Sequence, residues 1–128
     1  MHPKLAREAP ESSAEIAGLD HKKLLNEAKT IYISSNTQFI TADVLSRALA
    51  QQKGWSKLSL SVVEDPRVAD LNLKVDRVIF THVHTYSLVE KKTSLVLASG
   101  SVRAFDGILA SDGIAQQLVK FFSSSRRP

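Results

Sequence analysis

The chain has 128 residues, 43% hydrophobic and 23% charged, a length and balance that suit one compact domain and exclude two ordinary ones. It has no cysteine, which excludes disulfides, zinc–thiolate centres and cysteine nucleophiles. Lysine and arginine outnumber aspartate and glutamate 17 to 13, but the net charge of +4 is spread thinly, without the clustered basic stripe and stacking aromatics of a specific nucleic-acid reader.

No run approaches the roughly 20 apolar residues that span a bilayer. The opening stretch Met1–Pro10 also has no apolar signal core. The expected location is therefore cytoplasmic if Met1 is the native start, and periplasmic if Met1 restarts the mature part of an exported protein.

Residues 1–28 read as a flexible arm. They are rich in Ala, Glu, Ser and Pro, a composition that buries too little to offset ordering entropy. A short helix from Asp20 through Glu27 is expected within the arm, with Leu24 and Leu25 as its apolar contacts. The ordered domain is expected over 29–122. Thr30-Ile31-Tyr32-Ile33 is a β-branched and aromatic run that predicts a strand. Thr41 then caps a helix, with Asp43 at its positive end and Ile40 and Leu45 placed as a hydrophobic staple. Val44, Leu45, Ala48 and Leu49 form its apolar stripe, and Gly54 stops it.

The period then changes from helical to alternating. Leu58, Leu60 and Val62 predict a strand, and Glu64-Asp65-Pro66-Arg67 a turn. From Ala69 to Phe80 the chain is extended, with Leu71, Leu73 and Val75 on one face and Asn72, Lys74 and Asp76 on the other. The apolar parity shifts at Val78 and Phe80, which predicts a bulge near Asp76-Arg77. His82–Glu90 and Thr93–Ala104 read as a hairpin turned by Lys91-Lys92, with a close approach expected at Gly100. Asp106-Gly107 is a turn. Ser111 is expected to cap a last helix to Phe122, with Ile114, Leu118, Phe121 and Phe122 as its stripe. A polar tail follows over 123–128.

The order strand, helix, four strands, helix predicts an α+β fold in two layers. The mixed sheet has four or five strands, and both helices lie on one of its faces. The first strand–helix–strand unit pairs in parallel and the rest form an antiparallel meander.

Candidate chemistry is sparse. His82 and His84 are two apart on a predicted strand and so share a face, where two imidazoles could hold one metal. A third ligand would have to come from Glu90, Asp76 or His21. The competing reading is two polar positions facing solvent. Asp65, Asp70 and Asp76 bracket a strand without the spacing of an acid–base pair. Ser99-Gly100-Ser101 lies in a strand and not in a nucleophile elbow. No glycine-rich phosphate cradle is present, so no cofactor is expected. Trp55 sits at a helix end, where it covers the core edge or faces a partner.

Taken together, Lys29-Thr30-Ile31-Tyr32-Ile33-Ser34-Ser35, Asp65-Pro66-Arg67-Val68-Ala69-Asp70-Leu71 and Thr93-Ser94-Leu95-Val96-Leu97-Ala98-Ser99-Gly100-Ser101-Val102 form a pattern. It resembles small bacterial α+β proteins, often exported. More distantly it looks like the amino-terminal domain of the Tol-system translocation protein and curli-type secretion lipoproteins. The resemblance implies a structural or binding role and carries over no catalytic residue. The expectation is a non-catalytic envelope-type domain that binds another protein. The open sheet face at Asn72, Lys74 and Asp76, with Trp55, is the candidate surface. The alternatives are a small metal-dependent enzyme using His82 and His84, or a weak nucleic-acid binder.

Overall fold

A computed structural model describes residues 23–125. The elements run β1 (Thr30–Ser35), α1 (Ala42–Gln51), β2 (Ser61–Val63), β3 (Leu71–Arg77), β4 (Val83–Glu90), β5 (Val96–Arg103) and α2 (Gly107–Ser125), with 3₁₀ turns at Trp55–Leu58 and Pro66–Val68. The strands form one mixed sheet in the order β2-β1-β3-β4-β5. β1 pairs in parallel with both β2 and β3, while β3–β4 and β4–β5 are antiparallel. The fold is α+β in two layers, as the alternating and helical periods predict.

The core is one cluster between the sheet and the helices. β3 contributes Leu71, Leu73 and Val75, and β1 contributes Ile31 and Ile33. From the helices come Leu45 and Leu49 of α1 and Ile114, Leu118 and Phe122 of α2. The other sheet face carries Asn72, Lys74 and Asp76, because side chains of a strand alternate. A short helical segment at 23–27 adds Leu25, and Ala28 follows it into the same cluster. The packed core therefore takes in residues ahead of Lys29. The rest of the expected arm, residues 1–22, and the tail residues 126–128 lie outside the described residues.

Several boundaries differ from expectation. The strand expected at Leu58–Val62 forms only at its end, and Leu58 closes a 3₁₀ turn. Ser59 turns into the left-handed region at φ 55°, and only Ser61–Val63 pair. Leu58 and Leu60 are still buried, so their alternation marks burial and not a strand. The expected bulge at Asp76-Arg77 is instead the end of β3, and the register shift lies at Leu88/Val89. α2 begins four residues early, at Gly107. The Asp106 carboxylate accepts from the Leu109 amide at 2.8 Å and the Asp106 carbonyl from the Ala110 amide at 3.1 Å. Ser111 is thus a fully buried helix-interior residue and not the cap. Ser123–Ser125, expected in the tail, continue the helix.

The Thr41 cap forms as expected, its hydroxyl accepting from the Val44 amide at 3.2 Å, and Ile40 and Leu45 are both fully buried. Gly100 also behaves as expected. A β-carbon there would stand 2.6 Å from the Tyr86 hydroxyl and 2.9 Å from Gln117 Oε1, the two groups that hydrogen-bond to each other at 2.7 Å.

The connection from β2 to β3 passes the amino end of β1 and is tied to it. The Thr30 hydroxyl donates to the Val68 carbonyl (3.1 Å) and accepts from the Asp70 amide (2.9 Å). The Asp70 carboxylate accepts from the amides of Lys29 (2.8 Å) and Thr30 (3.3 Å). Asp70 is therefore a structural group. Asp70→Ala is expected to cost about 1–2 kcal/mol in urea unfolding, because it removes charge-assisted bonds from the exposed Lys29 amide and the partly buried Thr30 amide.

Glu90 closes the β4–β5 turn. Its Oε1 accepts from the amide and the hydroxyl of Thr93, both at 2.8 Å. Burial pushes its carboxyl up, but the bonds from Thr93 and the Lys92 amide, with the Lys92 charge, hold it below the ordinary value of 4.5. A lowered folded-state pKa adds stability above the unfolded value, and that stability is lost as pH falls through the folded one. Thermal unfolding across acid pH is expected to show this loss in the native chain and a flatter profile in Glu90→Gln.

Candidate functional site

β1 and β3 run parallel and β4 and β5 run against and with them in turn. The 36–41, 78–82 and 104–106 connections therefore meet at one end of the sheet. Among the described residues, seven of the nine exposed large hydrophobics lie in these connections or the first turn of α2: Phe39, Val78, Ile79, Phe80, Phe105, Ile108 and Leu109. Ile79 is 70% exposed, Phe80 93% and Phe105 80%. Isolated exposed apolar side chains are ordinary, but a cluster on one end is not.

The cluster is held by specific contacts. The Arg77 guanidinium lies 4.5 Å over the Phe39 ring and donates to the Thr81 carbonyl at 2.9 Å. The His82 ring packs on Phe105 at 4.6 Å, and the His82 carbonyl accepts from the Ala104 amide at 3.0 Å. The Phe39 backbone closes directly over Gly107, where a β-carbon would stand 1.5 Å from the Phe39 carbonyl oxygen. Only glycine admits that approach between the 36–41 loop and the start of α2. Ile108 and Leu109 continue into a cleft of about 390 Å³ between α1 and α2, walled by Val44, Ala48 and Arg47.

The tip of the 78–82 loop is strained. Phe80 has φ 62°, in the left-handed region that disfavours a bulky side chain. The base of the loop is nevertheless closed by its own hydrogen bonds. Thr81 donates to the Val78 carbonyl from its amide (3.1 Å) and its hydroxyl (2.7 Å), and the Val78 amide donates to the Val83 carbonyl (2.9 Å).

The residues singled out in the sequence fall in three places. Asn72, Lys74 and Asp76 share the uncovered sheet face, as alternation predicts. Asn72 accepts from the Ser34 hydroxyl at 3.2 Å, and Lys74 and Asp76 are exposed beside a hollow of about 650 Å³. Trp55 stands apart in the turn after α1, half-buried against the core. His82 and His84 do not share a surface. His82 is exposed and lies before β4 begins, whereas His84 is 1% exposed and faces the core.

His84 Nε2 is 3.3 Å from the Ala104 carbonyl and donates to it, while the buried Nδ1 has no hydrogen-bond partner among the described residues. The expectation of a solvent-side histidine pair is corrected for His84. β4 presents its even-numbered residues to the core, and the imidazole fills that space edge-on to Phe39, with 6.4 Å between ring centroids. Among the described residues, no group of three or more His, Asp or Glu side chains converges as metal ligands. Glu90, Asp76 and His84 occupy the hairpin turn, the open face and the core respectively.

Neither a family model nor a curated protein matches the sequence. Some solved structures match at low identity. A PelC dodecamer from Paraburkholderia phytofirmans matches at 16% identity and TM-score 0.46, over 79% of this chain and 88% of that one. A Xanthomonas campestris protein described by the family model DUF330 matches at 12% identity and TM-score 0.46, over 73% and 82%. A Caulobacter crescentus CB15 protein described as a lipoprotein matches at 11% identity and TM-score 0.38, over 82% and 93%. At these values the likeness assigns neither a family nor an activity. A similarity to the Tol-system domain is not shown. No helix among the described residues is long and apolar enough to cross a membrane.

The strain at Phe80 has a measurable consequence. Asn tolerates the left-handed region better than Phe. Phe80→Asn is therefore expected to raise stability by about 0.5–1 kcal/mol in urea unfolding. A loss of stability would show that the ring supports the loop.

Proposed function

We propose that the chain is a non-catalytic binding domain of the bacterial envelope type, and that it makes its principal contact through the apolar end formed by the 36–41, 78–82 and 104–109 segments. The exposure of Phe39, Ile79, Phe80, Phe105, Ile108 and Leu109 at that one end carries the reading. Burying a large apolar side chain is worth about 1.5–3 kcal/mol, and fixing Phe80 at positive φ works against folding. A sequence that retains both gains the return on association.

The sequence pointed instead to the open sheet face. That face is polar along Asn72, Lys74 and Asp76, and its groups are solvated or already paired. It ranks second because it offers a partner little apolar area to bury.

The non-catalytic part of the reading rests on the separation of the reactive side chains. Asp70 and Glu90 are spent on backbone amides, and His84 is sealed in the core.

A photoactivatable residue placed at Phe80, Phe105 or Lys74 in producing cells tests the contact face. Adducts, whether protein or lipid by mass, are expected from positions 80 and 105 and not from 74. Adducts from 74 alone would move the interface to the sheet. Their absence at all three positions would remove the docking reading.

A further inference from the structure

We infer that the occupant of this apolar end is the interfacial layer of a lipid bilayer, into which the tips of the 78–82 and 104–109 segments insert; the inference rests on the docking reading and names its partner. Three observations favour lipid over a protein partner.

The first is placement. Ile79 and Phe80 stand at the tip of one connection and Phe105 at the tip of another, with Phe80 93% exposed. The hollow beside them, about 420 Å³, is walled by Asn36, Thr37, Gln38, Asp76 and Arg77 as well as Phe39 and Ile79. A partner protein is usually engaged by apolar anchors seated in desolvated pockets, whereas projecting tips suit a fluid that closes around them.

The second is the backbone. A segment that leaves water for an apolar medium must satisfy its own amides and carbonyls. Here Thr81 and Val83 close the 78–82 tip on the Val78 carbonyl and the Thr81 hydroxyl. Asp106 meets the amides of Leu109 and Ala110 with its carboxylate and its carbonyl respectively. These bonds pair backbone groups at the base of each tip, below the exposed side chains of Ile79, Phe80 and Phe105.

The third is charge. Behind the tips Asp76, Arg77 and Arg103 stand at the strand ends, and Asp106 caps α2 within the 104–109 segment. Asp76 accepts from the Arg77 amide, and Arg77 covers Phe39. These groups lie at the level that polar headgroups would occupy, and their signs balance. Attachment therefore comes from apolar insertion and not from attraction to anionic lipid, and it is weak and reversible.

Co-sedimentation of the full chain with vesicles tests this. The chain is expected to bind vesicles of phosphatidylcholine alone. Replacing part of that lipid with phosphatidylglycerol, or raising the salt, should change binding little. Ile79→Ser and Phe80→Ser are each expected to weaken binding about tenfold or more, and Lys74→Ala to leave it unchanged. Phe80→Asn, expected to fold at least as well as the native chain, serves as the second variant at that tip.

Absence of binding to phosphatidylcholine would overturn the inference. So would binding that survives the Ile79→Ser, Phe80→Ser double substitution, or binding confined to anionic vesicles and lost in high salt. Self-association in sedimentation velocity that the double substitution abolishes, without vesicle binding, would make a second copy the occupant. That result would overturn the lipid assignment and keep the docking reading, whereas a lack of adducts from positions 80 and 105 would remove both.

Discussion

β1 is held between two parallel neighbours, and the rest of the fold follows from that position. A parallel pair cannot be joined by a tight turn. α1 supplies the crossover from β1 to β2, and the short 64–70 connection must then bring the chain back to the other side of β1. The Thr30–Val68–Asp70 bonds hold that return in place. They fix where β3 starts, and so the register of Leu71, Leu73 and Val75 against Ile31 and Ile33. The Asp70 carbonyl also accepts from the Lys91 amide at 3.0 Å. One residue therefore anchors β1, β3 and the end of the hairpin.

Much of this was legible in the sequence. Alternation in β3 and the stripe from Ile114 to Phe122 each name a buried face, and one helix and one strand face per element is enough to predict two layers. What was not legible depended on contacts distant in sequence. Leu58 and Leu60 are buried with strand spacing, yet Ser59 turns between them. Asp106 and Ser111 are both credible caps, and the choice fell to Asp106 because Gly107 alone can lie under the Phe39 carbonyl. His84 has the hydrophilicity of a surface residue, but its parity with Tyr86 and Leu88 sends it inward. That parity was the available signal, and the pairing with His82 obscured it.

The candidate surface was hidden for a related reason. Val78 and Phe80 looked like core residues out of phase, which suggested a bulge. Hydrophobic periodicity assumes that apolar side chains seek the interior. It misreads a segment whose apolar residues are displayed. Ile79, between them, broke the alternation and was the local sign that no strand continued. Phe39 and Phe105 lie far from Phe80 in sequence, and only the sheet order brings them to the same end.

Asp70 and Glu90 also fix the polarity of the molecule along its strands. With Leu24, Ala28 and Lys92 they surround the place where the described chain joins the sheet, at the amino end of β1. The apolar connections leave from the carboxyl end of β1. The two poles are thus a full strand length apart, one hydrogen-bonded and carrying the entry of the chain, the other apolar and clear of it. Whatever binds the apolar pole sets the direction of the whole domain, because a rigid sheet joins the two. A bound molecule would stand upright on its loops, with residue 23 and its neighbours at the distal end.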